Sequence, residues 1–335
     1  MSPPASNPTA RMPWRRWGWL LVASIGCALH AGLHAADAAS APAAAAACPP
    51  VAQAPTAGQI QAAQRDARDR GFLWRVTKQG RSSYLFGTLH LGKMPWIFHG
   101  PRLREALAQT DTLALELDLT DPAMLQSPPS AATAPMSLSD PLRARLTRQI
   151  TAACLPAASL QQLNPLMQAI TLTVLSARWE GLDPSFGQEI VLATAARVQQ
   201  RPIVALESMQ SQLAVLLPND AAEAERLLDQ TLEQLEKGRA RVLMRRLADA
   251  WADGRFSEIE YYAQWCECAD TAQDRAFLQR LNDERNAPMA ERIDALHGEG
   301  KRVLVAVGAL HMTGEQGLPR LMASRGFTVE RLVPP

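Results

Sequence analysis

"YLFGTLHLG", Tyr84–Gly92, and "VLVAVGALHMTG", Val303–Gly314, decide the fold. Each is an apolar strand that runs into Gly-x-x-His. A continuous apolar run of this length reads as a strand buried on both faces. Such a strand does not ordinarily end by presenting an imidazole. One copy lies near each end of the chain, so the two halves of the sequence contribute to one sheet.

Working outward from the first copy, "FLWRVTKQGRSSYLFGTLH" reads as a β-hairpin, with Gly80 supplying the turn in Lys78-Gln79-Gly80-Arg81. "GPRLREALAQTD" fits a short helix with Pro101 in its first turn. "TLALELDL", Thr112–Leu119, is a strand by alternation and length, and "TDPAMLQSPPSAATAPMS" is a Pro-rich loop. From Leu138 to Gln200 the pattern is helical. "RPIVALES" is a short buried strand. A helical stretch then runs from about Met209 to Leu296, with breaks at Pro218-Asn219-Asp220, at Gly254 and near Cys268. "KRVLVAVGALH" is a strand, "GLPRLMASRG" a helix and "FTVERLV" a last strand. The expected fold class is therefore α/β: a central sheet built from N- and C-terminal segments, with a mostly helical cap, residues 138–300, inserted between them. "FGTLHLG…GPRLREALAQTDTLALEL" also echoes "VGALHMTGEQGLPRLMASRGFTVERL", which suggests two similar half-sheets facing each other.

The chain has 335 residues, 47% hydrophobic and 20% charged, a globular composition. Its formal net charge of +1 argues against a general nucleic-acid binder. Arg11, Arg15 and Arg16 precede the apolar run Trp17–Leu29, and small residues follow around Ala36-Asp37-Ala38. This reads as an export signal over residues 1–38 and points to the periplasm. The apolar run is shorter than the ~20 residues of a spanning helix. Membrane contact is expected only through this segment, with an anchor through residues 17–29 as the alternative. Residues 39–58 read as an Ala/Pro-rich linker, and residues 59–335 as the folded domain. Four cysteines remain after the signal: Cys48, Cys154, Cys266 and Cys268. An oxidising compartment allows disulfides among them, and four cysteines permit three pairings between which sequence does not choose. For Cys266-Glu267-Cys268, a disulfide involving one of the two is preferred over a metal site.

Four polar side chains fall at or near the ends of apolar strands: His90, Glu116, Glu207 and His311. In open α/β sheets, ligands bind outside the carboxyl ends of the strands. A buried Glu116 needs a cation, a hydrogen-bond network or a raised pKa. Two histidines and carboxylates suit a first-row divalent transition metal. Each residue also has a plainer reading: a hydrogen-bonded structural histidine, a Glu116–arginine pair, or Glu207 capping the helix that starts "SMQSQL". His99 and His297 read as surface residues. No H-E-x-x-H, P-loop, G-x-S-x-G or Rossmann glycine signature is present.

The segments "YLFGTLHLG", "ALELDL", "FGQEIVLATAA", "RPIVALESMQSQL", "ERNAPMAERI" and "VLVAVGALHMTGEQGLPRLMASRGFTVERL" together resemble the TraB/PrgY/GumN family, which is similar to the Tiki metalloproteases. The resemblance implies that His90 and His311 belong to one site and hold a divalent metal. Glu116 and Glu207 fall on the family's strand and Leu-Glu-Ser/Thr glutamates, with one of them as general base. Arg285 and Asn286 fall on its Arg-Asn pair, Arg285 binding an oxyanion or a substrate carboxylate and Asn286 contributing to substrate binding. Glu189 stands where the family has Asp and is also assigned to substrate binding. The implied activity is metal-dependent hydrolysis, most naturally of a peptide. The rivals are a non-catalytic protein that sequesters a peptide or glycan, and metal-free hydrolysis resembling that of the erythromycin esterases.

Overall fold

The computed structural model describes residues 48–121, 132, 135–156 and 158–333. The expected export signal, the first part of the linker up to residue 47 and most of the Pro-rich loop lie outside the described residues. Six strands form one sheet in the order β4-β3-β5-β2-β1-β6: β1 Phe72–Lys78, β2 Arg81–Thr88, β3 Thr112–Leu115, β4 Ile203–Ala205, β5 Val303–Gly308 and β6 Thr328–Val333. The architecture is mixed α/β, with the sheet drawn from both ends of the chain and helices between them, as its sequence indicates.

The β1–β2 hairpin closes on Lys78 opposite Arg81. Gln79 and Gly80 both have positive φ, 52° and 74°. That conformation matches the twist of the flanking strands, and glycine meets it without steric cost. β2 pairs in parallel with β5, and β3 pairs in parallel with both β5 and β4. The carboxyl ends of these four strands therefore share one edge of the sheet. β5 occupies the middle, and Val303 to Val307 are fully buried. This is why its sequence is apolar throughout rather than alternating.

Several boundaries differ from the sequence expectation. β3 ends at Leu115, so Glu116 is the first residue past the strand rather than within it. β4 is a half-buried edge strand of three residues. The two echoing segments do not form facing half-sheets: β2 and β5 are direct neighbours in one sheet. The echo ends where chemistry begins, because Glu330 on edge strand β6 is exposed and pairs with Arg75.

The helices are α1 Ala57–Arg65, α2 Pro101–Gln109, α3 Asp140–Ala152, α4 Pro165–Ser176, α5 Gln188–Val198, α6 Met209–Leu216, α7 Ala221–Glu236, α8 Arg239–Ala252, α9 Phe256–Glu260, α10 Tyr262–Trp265, α11 Ala272–Leu281, α12 Asp283–Gly298 and α13 Leu318–Ser324. They divide between two apolar cores. Leu146 of α3, Leu166 and Leu172 of α4, Leu213 of α6 and Leu228 and Leu232 of α7 pack among themselves. α5 lies on β3 and β4, α12 on β5 and α13. Trp251 of α8 joins Phe72, Phe86 and Leu85 in the sheet core. The inserted helices thus form both a cap with its own core and a layer that covers the sheet. None of the described helices is long and apolar enough to cross a membrane.

Two disulfides resolve the pairing that the sequence left open: Cys48–Cys154 and Cys266–Cys268. Cys266 and Cys268 thus bond each other, rather than one of them bonding a distant cysteine. Cys48 ties the middle of the expected linker to Cys154, just past α3 and 106 positions away. A cross-link stabilises by restricting the unfolded chain, more for a longer loop. Cys48→Ser/Cys154→Ser is expected to lose about 2–4 kcal/mol in urea unfolding, and Cys266→Ser/Cys268→Ser clearly less. Equal losses would contradict the loop-length argument.

Candidate functional site

The shared strand edge collects side chains from six segments. His90 follows β2, Glu116 follows β3, Glu207 follows β4 and His311 follows β5, while Glu189 opens α5 and Arg285 and Asn286 lie on α12. The backbone ladder continues past β3 and β4, with Glu207 N donating to Glu116 O at 3.1 Å. That places the two carboxylates on the same side of the crevice.

Glu116 is buried and its oxygens are fully engaged. Oε1 accepts from Gly308 N at 2.7 Å. A β-carbon at Gly308 would stand 3.3 Å from that same oxygen, which is why the strand ends in glycine here. Oε2 accepts from Arg285 Nη2 at 2.6 Å and from Gln212 Nε2 at 3.0 Å. Burial works against the Glu116 charge, but His311, His90, Arg285 and the Gly308 N–H together outweigh it and hold the carboxyl below its usual range.

Arg285 is a clamp. Its Nε donates to Glu207 Oε1 at 2.9 Å, its Nη2 to both Glu207 Oε2 and Glu116, and its Nη1 to Leu281 O at 2.9 Å. Gln212 bridges the same two carboxylates, reaching Glu207 Oε2 at 3.1 Å. Glu207 is therefore held by its arginine rather than capping α6, where Ser208 accepts from Ser211 N.

His311 and Asn286 are both buried. Asn286 Nδ2 donates to Gln316 O at 2.9 Å, which turns its Oδ1 toward His311 Nδ1 at 2.6 Å. Nδ1 must therefore carry the proton. The His311 Nε2 lone pair then faces Glu116 Oε1 at 3.6 Å. Burial pushes the His311 pKa down, against the pull of Glu116. Without a proton on Nε2 the two atoms are facing acceptors, and with one they form an ion pair.

Glu189 sits in the first turn of α5, where the helix dipole favours a negative charge. Its Oε1 accepts from Thr88 Oγ1 and lies 3.2 Å from His90 Nδ1. Its Oε2 has no partner among the described residues. Gly187 allows this approach, since a β-carbon there would stand 2.5 Å from His90 O. His90 stands at the mouth of the crevice with its ring open to water. The Glu189 charge, against the cost of burying part of the ring, raises the His90 pKa above the ordinary imidazole value. Ligand atoms of His90, Glu116 and Glu189 lie within 4.8 Å of one another, close enough for a single cation. His311 is outside that trio, beside Glu116.

All seven residues singled out in the sequence come together. Three more were missed: Gln212, Thr88 and Gly308. Only Thr88 and Gly308 carried a signal, through their places in Gly-Thr-Leu-His and Gly-Ala-Leu-His.

The other two described histidines are not surface residues. His297 is buried, with Nε2 3.1 Å from Lys78 O. His99 is half-buried, with Nε2 3.2 Å from Gln188 Oε1. Burial lowers the His99 pKa from 6.5 to about 4, against that hydrogen bond. The unfolded chain takes up this proton near pH 6.5 and the folded chain only near pH 4, so stability falls as pH drops through that window. The expected loss from this group is about 2 kcal/mol at pH 5. His99→Gln should remove that part of the pH dependence in denaturant titrations at pH 7.5 and 5. An unchanged difference between the two pH values would contradict it.

A family model described as the TraB/PrgY/gumN family matches residues 72–331. Two curated relatives carry the description "Uncharacterized protein YbaP", one from Shigella flexneri and one from Escherichia coli (strain K12). Each is 28% identical over 253 residues, covering 72% of this chain and 88% of the relative. No solved structure matches. The match takes in β1 to β5 and most of β6, both Gly-x-x-His segments and the whole crevice, and the chain belongs to the TraB/PrgY/gumN family.

Proposed function

We propose that the crevice is a hydrolytic metal site that acts on peptide bonds outside the cytoplasm. The observation that carries this reading is the convergence of possible ligand atoms at one edge of the sheet. His90, Glu116 and Glu189 gather within 4.8 Å, and the His311 lone pair faces Glu116 beside them. Such a set can hold a cation. One imidazole and two carboxylates match the borderline donors that first-row divalent metals take. His90, Glu116 and Glu189 would hold the ion, which differs from the sequence expectation by exchanging His311 for Glu189. A divalent ion supplies Lewis acidity at the substrate carbonyl and acidifies water.

The chain's own groups divide the remaining work. His311 Nε2 is unprotonated and aimed inward, so it accepts the proton of the attacking water and returns it to the leaving amine. Asn286 fixes its tautomer, and Glu116 stabilises the imidazolium as it forms. Arg285, with four of its N–H groups engaged, positions Glu116 and Glu207 rather than reaching for substrate. The peptide as substrate class follows the resemblance to the Tiki proteases. Export is supported by two disulfides in one chain, a feature of oxidising compartments.

The test is metal content and thermal melting of the purified domain, with and without chelator, beside a peptide-library cleavage assay. One equivalent of metal is expected. At a hundredfold excess over the dissociation constant, the ion should stabilise the fold by about 2.7 kcal/mol. Chelator should abolish cleavage. Identical melting in both conditions, with no metal retained, would sink the reading.

A further inference from the structure

We propose that a second cleft, at the outer end of β1 and β6, binds a carboxylate of the peptide that the crevice cleaves; the substrate class rests on the reading above, the cleft does not. The cleft has a volume of about 400 Å³ and is lined by Arg68, Arg70, Arg102, Asp69, Asp253 and the end of β6 at Val333 among others. Three guanidiniums and two carboxylates face it, and the carboxylates are already committed. Asp69 Oδ1 accepts from Arg102 N at 3.0 Å and Leu103 N at 3.3 Å, capping α2. Asp253 is shared between Arg68 at 3.6 Å and Arg255 at 2.5 Å.

Arg70 is left over. It has no ion pair among the described residues, and its one hydrogen bond, Nη1 to Arg68 O, is 3.4 Å long. Its Nε is buried without a partner. Burial and the neighbouring Arg68 both press on its charge. An uncompensated, half-buried guanidinium calls for an anion. Its planar fork matches a carboxylate in two parallel hydrogen bonds.

The cleft stands at the same end of the sheet as the crevice. β1 runs antiparallel to β2 with Phe72 opposite Gly87, and Leu73 pairs with Val333. One residue ties the two places together. Trp251 Nε1 donates to Gly87 O at 2.7 Å, just before Thr88, while Trp251 O accepts from Gly71 N at 3.0 Å, next to Arg70. From β2 to β6 is two strand spacings, about 10 Å, a span that roughly three extended residues cover. The occupant is therefore an acidic side chain or a C-terminal carboxylate about three residues from the cleaved bond.

The experiment is fluorescence anisotropy on the purified domain in chelator, where no turnover can occur. Three labelled peptides of one neutral sequence are compared: amidated, with a free C-terminal carboxylate, and amidated with a single glutamate. At least one carboxylate peptide should bind roughly 10-fold more tightly than the neutral one, and which one does so identifies the source. Arg70→Ala should abolish that preference, Arg70→Lys should weaken it several-fold by losing the fork, and Arg320→Ala should leave it intact. The lysine variant carries the test if the alanine variant does not fold. Equal binding of all three peptides, or a preference that survives at Arg70, would overturn the proposal. Loss of the metal reading would leave this result standing, and the reverse also holds.

Discussion

Arg285→Ala will destabilise the domain by about 3–5 kcal/mol in urea unfolding, more than any other single change at the crevice. The reason is what it leaves behind. Glu116 is buried and Glu207 half-buried, and Arg285 is the strong cation that both touch. Without it, two carboxylates share a poorly solvated space with only Gln212 between them. One must take up a proton or the crevice must open. Arg285→Lys should recover little, because a single ammonium cannot reproduce the forked contact to two carboxylates and Leu281 O. Arg285→Met/Glu207→Met should lose less than Arg285→Ala, since it removes one of the two stranded charges along with their partner. A loss below about 1 kcal/mol for Arg285→Ala would show that water already screens the cluster.

His311→Ala will lower turnover by roughly 10²- to 10⁴-fold, the range for a general base removed from its reacting proton. The assignment as base rather than ligand turns on a second reading from the same sample. The His90, Glu116 and Glu189 trio remains whole in this variant, so metal stoichiometry should hold near one while the rate collapses. The fold should weaken by about 1–3 kcal/mol, because Asn286 Oδ1 loses its donor in a dry setting. Asn286→Asp should preserve metal but move the acid limb of the rate profile upward, since a carboxylate at Nδ1 raises imidazole basicity. Loss of metal together with rate in His311→Ala would return His311 to the ligand set and put the proton on another group.

Much of this was legible in the sequence because it rested on local rules. Gly80 announced the hairpin, Pro101 the start of α2, and unbroken apolar runs the two central strands. The placement of His90 and His311 at one edge of the sheet was legible for a different reason, since the same strand ending occurs twice, but a shared metal between them was not what the geometry favours. Other features depend on tertiary placement. β3 stops at Leu115 because Glu116 turns to meet Gly308 and Arg285, a preference that no local propensity carries. Gln212 is five residues past Glu207, and only the entry angle of α6 brings it between the carboxylates. His99 and His297 look like surface histidines until Gln188 and the Lys78 carbonyl are folded against them. The Cys266–Cys268 bond needs Glu267 at a φ of 53°, a conformation that its composition gave no reason to expect.

The position of β5 bears on how the chain is made. The strand fills the slot between β2 and β3, yet it is built from residues 303–308, made long after both of them. Until those residues leave the ribosome, β2 and β3 have no shared partner and Glu116 has no Gly308 N–H to meet. The sheet and the crevice therefore form only once β5 has been made, through contacts of very long sequence separation, which are slow to find. A chain that stops short of Val303 would hold the hairpin and the helices but have no middle to its sheet, and its unpaired strand edges would invite association with other chains.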